Sequence, residues 1–225
     1  NHNRQEGVTG KCLVMVSPDA ERTMLTFLGI SETLSKEDID AQALADAEYL
    51  YLEGYLVSSD SGREACVYAK KIAEENGVKT SITLSDPAMV QFFRGGLEEM
   101  IGEGVDLLFA NDVEAKEWTG KDSIEDAAEA FKSIAKQFVI TLGSEGALLF
   151  DGSNYINIAS HPVKAVDSNG AGDMFAGAFL YAITAGNDFE TAGKLASLAA
   201  ATTVSNFGPR LPSDQHQAIR DQIIK

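Results

Sequence analysis

Residues 163–180 read VKAVDSNGAGDMFAGAFL, and this stretch decides the fold class. The pattern predicts a short strand, a glycine-rich turn and the start of a buried helix. The turn is Gly170-Ala171-Gly172, and Asp173 follows it directly. Because small residues leave backbone N–H groups accessible at a helix N-terminus, the turn is predicted to bind an anion.

A carboxylate beside an anion site repels the ligand, so Asp173 needs a chemical task that compensates. The task we predict is to accept the proton of a hydroxyl group as it attacks a phosphoryl group. The alternative is a glycine-rich helix start that serves close packing only. A dinucleotide-binding fingerprint is excluded because Phe175 stands where the third glycine is required, and no Gly-Lys-Ser/Thr phosphate loop occurs in the chain.

The composition is that of an ordinary globular protein, with 225 residues, 44% of them hydrophobic and 23% charged. A formal net charge of −16 disfavours nucleic acid and anionic membranes as partners. The sequence contains neither an apolar run of membrane-spanning length nor a basic apolar leader, so we expect a cytoplasmic protein.

Cysteine and histidine residues point to no redox or zinc chemistry. Cys12 and Cys66 lie in apolar surroundings and are expected to be reduced, buried thiols. His2, His161 and His216 have no metal-ligand spacing, and no Ser/His/Asp set is legible.

Strand and helix patterns alternate along the chain, which predicts an α/β fold with an open, mostly parallel sheet and helices on both faces. A hairpin and a short helix come first, at 10–17, 23–28 and 36–45. The alternating strands and helices follow at 49–53, 61–76, 79–85, 96–103, 105–110, 112–118, 124–136 and 138–142. Two short strands and three helices end the chain, at 146–151, 155–159, 170–185, 189–204 and 214–224. No linker interrupts the pattern, so residues 1–225 are interpreted as a single domain.

Open parallel sheets bind ligands at the carboxyl ends of their strands. Four features are predicted at such ends: Glu53, Asn111 with Glu114, residues 141–146 and residues 167–173. We expect this topology to gather them along one edge of the sheet.

Three of these features also have structural interpretations. Asn111 followed by Glu114 is a capping box, although Glu114 could also organise water around Mg²⁺. Residues 141–146 form either an ordinary turn or a place where two glycines let a ligand approach the backbone. Glu53 either caps a helix at the surface or accepts hydrogen bonds from a polyol.

Four segments of the sequence resemble motifs of a known family. The segment DSNGAGD at 167–173, continued by MFAGAF, resembles the C-terminal signature of the ribokinase-like (PfkB) carbohydrate and nucleoside kinases, which usually have threonine in place of Ser168. The Asn-x-x-Glu segment at 111–114, the Thr-Leu-Gly turn at 141–143 and residues 199–209 follow in the family's order. Within the family, the segments NGAGDMFAG and FGPR resemble adenosine-kinase-like members more than other members.

The resemblance implies the following roles. Asp173 would be the base and would contact the acceptor together with Glu53. The anion hole would consist of the backbone amides of Gly170, Ala171 and Gly172. The cofactors would be ATP and Mg²⁺, with K⁺ as a further candidate. ATP and Mg²⁺ would be bound by Asn111, Glu114 (to Mg²⁺ through water), Thr141, Gly143, Gly146, Asn206 and Gly208. A monovalent cation would be held by Asp167 and Asn169.

The resemblance fails at the front of the chain. The first strand, the lid and the Gly-Gly segment that grip the acceptor in this family are absent, so an N-terminal substrate and lid portion is expected to be missing. A homodimer formed through that portion is left open. The predicted function is ATP-dependent phosphorylation of a hydroxymethyl group of a sugar or nucleoside. The alternative is a non-catalytic nucleotide- or sugar-binding regulatory protein with the same fold.

Overall fold

The structure is a computed structural model that describes residues 6–224. The chain divides into two compact units. Unit 1 comprises Asn1–Cys12 and Thr26–Val139, and unit 2 comprises Leu13–Leu25 and Ile140–Lys225.

Within residues 6–224, eight strands make up two sheets. The first two strands pair as a two-stranded sheet: β1 (Lys11–Val16) and β2 (Arg22–Phe27). The other six are β3 (Tyr49–Glu53), β4 (Lys79–Thr83), β5 (Val105–Asn111), β6 (Ala135–Thr141), β7 (Ala147–Phe150) and β8 (Tyr155–Ile158). The strand order is β3-β4-β5-β6 within unit 1 and β6-β7-β8 within unit 2, since the division falls inside β6.

The sheet of unit 1 is parallel over β3, β4 and β5. Glu53 is in register with Thr83, and Thr83 with Phe109, so the carboxyl ends of these strands lie side by side. Leu107 and Leu108 on β5 are both fully buried, which shows that the sheet is covered on both faces. In unit 2, β7 and β8 are antiparallel.

Nine α-helices are found in the described part of the chain. Six belong to unit 1: α1 (Ala41–Ala45), α2 (Asp60–Glu75), α3 (Pro87–Phe92), α4 (Arg94–Ile101), α5 (Asp112–Thr119) and α6 (Ile124–Phe131). Three belong to unit 2: α7 (Ala171–Thr184), α8 (Phe189–Val204) and α9 (Ser213–Ile223). No helix within residues 6–224 is both long and apolar enough to cross a membrane.

The core of unit 2 is built around α7 and α8. Phe179 on α7 is fully buried and meets Phe189 edge to face, with ring centroids 5.0 Å apart. Gly193 lets α8 approach the sheet closely, since an added Cβ would lie 2.6 Å from Cγ1 of Ile158. Small residues on these helices thus serve packing, as their pattern indicates.

The predicted α/β class with a mostly parallel sheet is confirmed, but several element predictions are wrong. The helix predicted over 124–136 ends at Phe131, and β6 begins at Ala135, because the carbonyl of Ile134 already accepts a hydrogen bond from the N–H of Val105 (2.9 Å). The helix predicted over 36–45 is α only from Ala41 to Ala45, since the side chain of Asp40 caps it there.

Two further predictions need correction. The strand predicted directly before the glycine turn does not form at residues 163–169. The N–H groups of Val166 and Asp167 both donate to the carbonyl of Val204 instead of pairing with a strand. Both cysteines are free thiols, but only Cys66 is buried, and burial raises its pKa to about 11. Cys12 is exposed because β1 belongs to a sheet of only two strands.

Candidate active site

The glycine turn before α7 is held in place by its fold contacts. Gly170 caps the helix with a left-handed backbone (φ 75°) and packs so tightly that an added Cβ would overlap the carbonyl oxygen of Pro209. Gly172 differs, because an added Cβ would meet nothing within 4 Å. The fold therefore requires the first glycine, and the second leaves open space above the helix start.

Asp173 lies in the first turn of α7 with its side chain exposed. No side-chain hydrogen bond caps this helix start among the residues that the structure describes. Its first backbone N–H groups and the carboxylate of Asp173 therefore lie at the same end of the helix, as the predicted roles require.

Asp167 connects two loops of unit 2. Its side chain is 4% exposed; Oδ1 accepts a hydrogen bond from the N–H of Asn169 and Oδ2 one from the N–H of Gly208, both at 2.9 Å. The loop that contains Asn206 and Gly208 is thereby attached to the glycine turn. The assignment of Asp167 and Asn169 to a cation, and of Asn206 and Gly208 to ATP, stays a prediction.

The tip of the β1–β2 hairpin also contacts this turn within unit 2. The N–H of Ser168 donates to the carbonyl of Ala20 (3.1 Å), and Nη1 of Arg22 donates to Oγ of Ser168 (3.2 Å). Sequence reasoning missed Arg22. Arg22 lies in a hairpin that also contains Lys11, Asp19 and Glu21, and it carries no distinctive spacing, so no sequence signal could have identified it.

The segment after β6 contains Thr141 at the strand end and two glycines with positive φ. Gly143 (φ 56°) has open space around an added Cβ, whereas Gly146 (φ 98°) is crowded by the carbonyl of Ile158. The turn thus has a structural reason for its second glycine. Gly143 leaves room for a ligand.

In unit 1, Glu53 ends β3 beside the end of β4. Oγ of Ser85 donates to Oε2 of Glu53 at 3.3 Å. Ser85 is a second residue that the sequence did not reveal, because its backbone conformation cannot be deduced from the sequence around it.

Asn111 and Glu114 form the predicted capping box at the start of α5. Oδ1 of Asn111 accepts from the N–H of Glu114 (2.8 Å), and the Glu114 carboxylate accepts from the N–H (2.9 Å) and Nδ2 (2.8 Å) of Asn111. Glu114 is 4% exposed, so these bonds compensate for the burial of its charge. The structural interpretation of this pair is confirmed, and its binding role stays a prediction.

The predicted residues are thus divided between the units. Glu53, Asn111 and Glu114 belong to unit 1, and the others belong to unit 2. Their gathering along one edge stays a prediction. Among the described residues no three acidic, histidine or cysteine side chains form a metal-binding group, and His2 lies outside those residues.

Fold and site together define an α/β protein in which an exposed carboxylate lies in the first turn of a helix that no side chain of the described residues caps. Residues 2–216 match the family described as pfkB family carbohydrate kinase, and the chain belongs to that family.

Proteins named as a sugar kinase, an adenosine kinase and a ribokinase are similar to this chain. A structure from Rhizobium etli CFN 42, described as a "probable sugar kinase protein", is 34% identical over 95% of this chain and 65% of its own, with a TM-score of 0.90. Adenosine kinase from Sinorhizobium meliloti is 32% identical over 95% of this chain and 66% of its own, also with a TM-score of 0.90. Ribokinase from Staphylococcus aureus is 28% identical over 81% of this chain and 59% of its own length.

The chain therefore spans about two thirds, or less, of the length of these relatives.

Proposed function

We propose that the protein transfers the γ-phosphoryl group of ATP to a hydroxymethyl group of a sugar or nucleoside. The observation that carries the proposal is the start of α7, where open space above Gly172 adjoins the exposed carboxylate of Asp173. Membership of the pfkB family supports the same reaction.

The proposed step begins with the acceptor hydroxyl next to Asp173. The carboxylate takes the hydroxyl proton as the oxygen forms a bond to the γ-phosphorus, while the bond between phosphorus and the bridging oxygen of ADP breaks. The backbone N–H groups of Gly170, Ala171 and Gly172 would donate to the oxygens of the group in transfer. Such preoriented donors act where charge develops in the transition state.

Arg22 adds a positive charge on the same side of the turn, because its guanidinium already contacts Ser168. In a chain with a net charge of −16, this local cation offsets the general repulsion of a nucleotide. We propose that Arg22 helps to hold the phosphates.

Further residues are proposed to hold the nucleotide and its metal ion. Asn111 and Glu114 would act on the metal side, and the buried carboxylate of Glu114, already oriented by Asn111, fits a water-mediated contact to Mg²⁺. When bound, Mg²⁺ neutralises charge on the phosphates. The remaining contacts would come from Thr141, Gly143, Gly146, Asn206 and Gly208.

A monovalent cation such as K⁺ is a further part of the proposal. Asp167 and Asn169 would supply its ligands. Each oxygen of Asp167 accepts one N–H bond, and a carboxylate oxygen has two lone pairs, so the donor set fits a cation as well.

The test is ADP formation from MgATP by the purified chain with adenosine, ribose and 2-deoxyribose in turn, in KCl and in NaCl. Acceptor-dependent ADP release with phosphorylated product supports the proposal. Nucleotide binding without ADP release from any acceptor contradicts it and favours the regulatory alternative. An equal rate of ADP formation in KCl and in NaCl contradicts the proposed K⁺ site and leaves the rest of the proposal unaffected.

A further inference from the structure

Ser85 has an unusual backbone at the carboxyl edge of the parallel sheet in unit 1. Its φ is 70°, and among the described residues Ala20 is the one other non-glycine residue with positive φ. The N–H of Asp86 donates to the carbonyl of Leu84, two residues back, at 2.9 Å. This is the hydrogen bond of a three-residue γ-turn, whose positive-φ form is rare and strained.

The strained turn directs the serine hydroxyl toward Glu53. Oγ of Ser85 donates to Oε2 of Glu53 at 3.3 Å, and the N–H of Ser85 donates to Oγ1 of Thr83 at 3.2 Å. Because Glu53 is in register with Thr83, the turn and the carboxylate lie at neighbouring strand ends. The hydroxyl therefore fixes one oxygen of the carboxylate.

The chain after Glu53 packs against the same segment. An added Cβ on Gly54 would lie 2.6 Å from the carbonyl oxygen of Thr83 and 2.8 Å from that of Leu84. The backbone that follows Glu53 is thus packed against the turn, and the Ser85 hydroxyl contacts the Glu53 carboxylate itself. Glycine at position 85 would adopt the same backbone without strain, so the cost of serine needs a compensating role for its hydroxyl.

We infer that Ser85 is a positioning residue for acceptor binding, which acts by holding Glu53. The inference rests on the proposed function and on the predicted role of Glu53, which is to accept hydrogen bonds from hydroxyl groups of the acceptor. A carboxylate held in one plane offers its oxygens to those hydroxyls at a defined angle. Ser85 consequently sets the affinity for the acceptor and takes no part in ATP binding or phosphoryl transfer.

Three substitutions separate the hydroxyl from the backbone strain. Ser85→Gly removes both, Ser85→Ala removes only the hydroxyl, and Ser85→Asn keeps a donor in a residue that tolerates positive φ. We expect Ser85→Gly and Ser85→Ala to raise the acceptor KM about tenfold, which corresponds to about 1.4 kcal/mol of binding free energy. The kcat and the KM for ATP should not change. The acceptor KM of Ser85→Asn should stay within about threefold of the wild-type value.

Ser133→Ala is the matched control, because its hydroxyl also bonds a neighbouring group in unit 1, the carbonyl of Ala130 (2.8 Å). It should leave the acceptor KM unchanged. In a Glu53→Ala background, Ser85→Ala should have no further effect on that KM, since its target is gone. A purely structural role would instead lower stability in both backgrounds and leave the KM ratio unchanged.

The outcomes distinguish this inference from the proposed function. ADP formation by wild type with adenosine or ribose, together with an unaltered acceptor KM in Ser85→Gly, overturns the inference alone. If the wild type shows no turnover, calorimetry measures the Kd for adenosine and for ribose in the presence of MgADP. A Kd about tenfold higher for Ser85→Ala than for wild type supports the inference, and an equal Kd overturns it. If wild type binds neither probe, both the inference and the proposed function fail.

Discussion

Helices α5 and α7 begin in opposite ways. At α5, Asn111 and Glu114 bond each other's backbone N–H groups. At α7, the N-cap is Gly170, and no side chain caps the first turn within the described residues. Both helices have a carboxylate at their third position, but that of Glu114 is buried against its own cap whereas that of Asp173 is exposed.

The difference teaches how a helix N-terminus is reserved for a ligand. A capping box satisfies the first N–H donors with the protein's own oxygens, which stabilises the helix and leaves little for an external anion. A glycine cap offers these donors no side-chain acceptor, although the N–H of Ala171 already donates to the carbonyl of Ser168 (3.4 Å). Within the described residues no side chain, that of Asp173 included, caps this helix. The start of α7 is thus the catalytic end in the proposed function, and the start of α5 is an ordered support.

Asp173→Asn should have the largest effect. We expect kcat to fall about 10²- to 10⁴-fold because the amide cannot accept the hydroxyl proton, while the Kd for ATP changes little. The matched control is Asp126→Asn, which removes an acid from the same third position of α6. Steady-state kinetics and nucleotide titration measure both, and an unchanged kcat in Asp173→Asn would rule out its role as base.

Gly172→Val should have the next largest effect. The branched side chain would fill the open space above the helix start, and we expect a loss of about 10²- to 10³-fold in kcat/KM for ATP. Gly177→Val is the control, since Gly177 lies in the same helix and also has nothing within 4 Å of an added Cβ. Equal activity of the two variants would show that the space above Gly172 serves no ligand.

Much of this comparison was legible in the sequence. The capping box has a defined spacing, and Asp173 after two glycines stands out within an apolar helix. The separate roles of the two glycines could not be predicted. A side chain at Gly170 would overlap Pro209, which lies 39 positions later in the sequence, whereas a side chain at Gly172 would contact no other residue within 4 Å of its Cβ. Such contacts depend on tertiary packing, which a local pattern does not encode.

The fold class followed from alternating apolar strands and amphipathic helices, but boundaries failed where tertiary hydrogen bonds override local preference. Ala135 and Lys136 continue a helical pattern, yet they begin β6 in the sheet. Ser85 is a similar case, because its positive φ arises from the strand ends around it. The pairing of Asp167 with Gly208 joins residues 41 positions apart, which no local spacing predicts.

Gly170→Ala should chiefly change stability. The left-handed backbone and the overlap with Pro209 should together lower the free energy of unfolding by about 1–3 kcal/mol. Gly186→Ala is the control, because its φ of 84° gives similar strain with nothing within 4 Å of the added Cβ. The amount by which Gly170→Ala lowers the melting temperature more than Gly186→Ala does measures the contact with Pro209 alone. Equal losses in the two variants would show that this contact does not affect stability.

Asn111→Ala should have the smallest effect and tests the other side of the comparison. Loss of the cap should lower the free energy of unfolding by about 1 kcal/mol, which lowers the melting temperature by about 2–4 °C. Ser123→Ala removes the cap of α6, where the serine accepts from the N–H of Asp126 (3.1 Å), and should cost about the same. Only Asn111→Ala should also raise the KM for MgATP, because Glu114 loses the bonds that orient its carboxylate. If both variants lose stability equally and neither changes that KM, the start of α5 serves the fold alone, and the contrast with α7 becomes sharper.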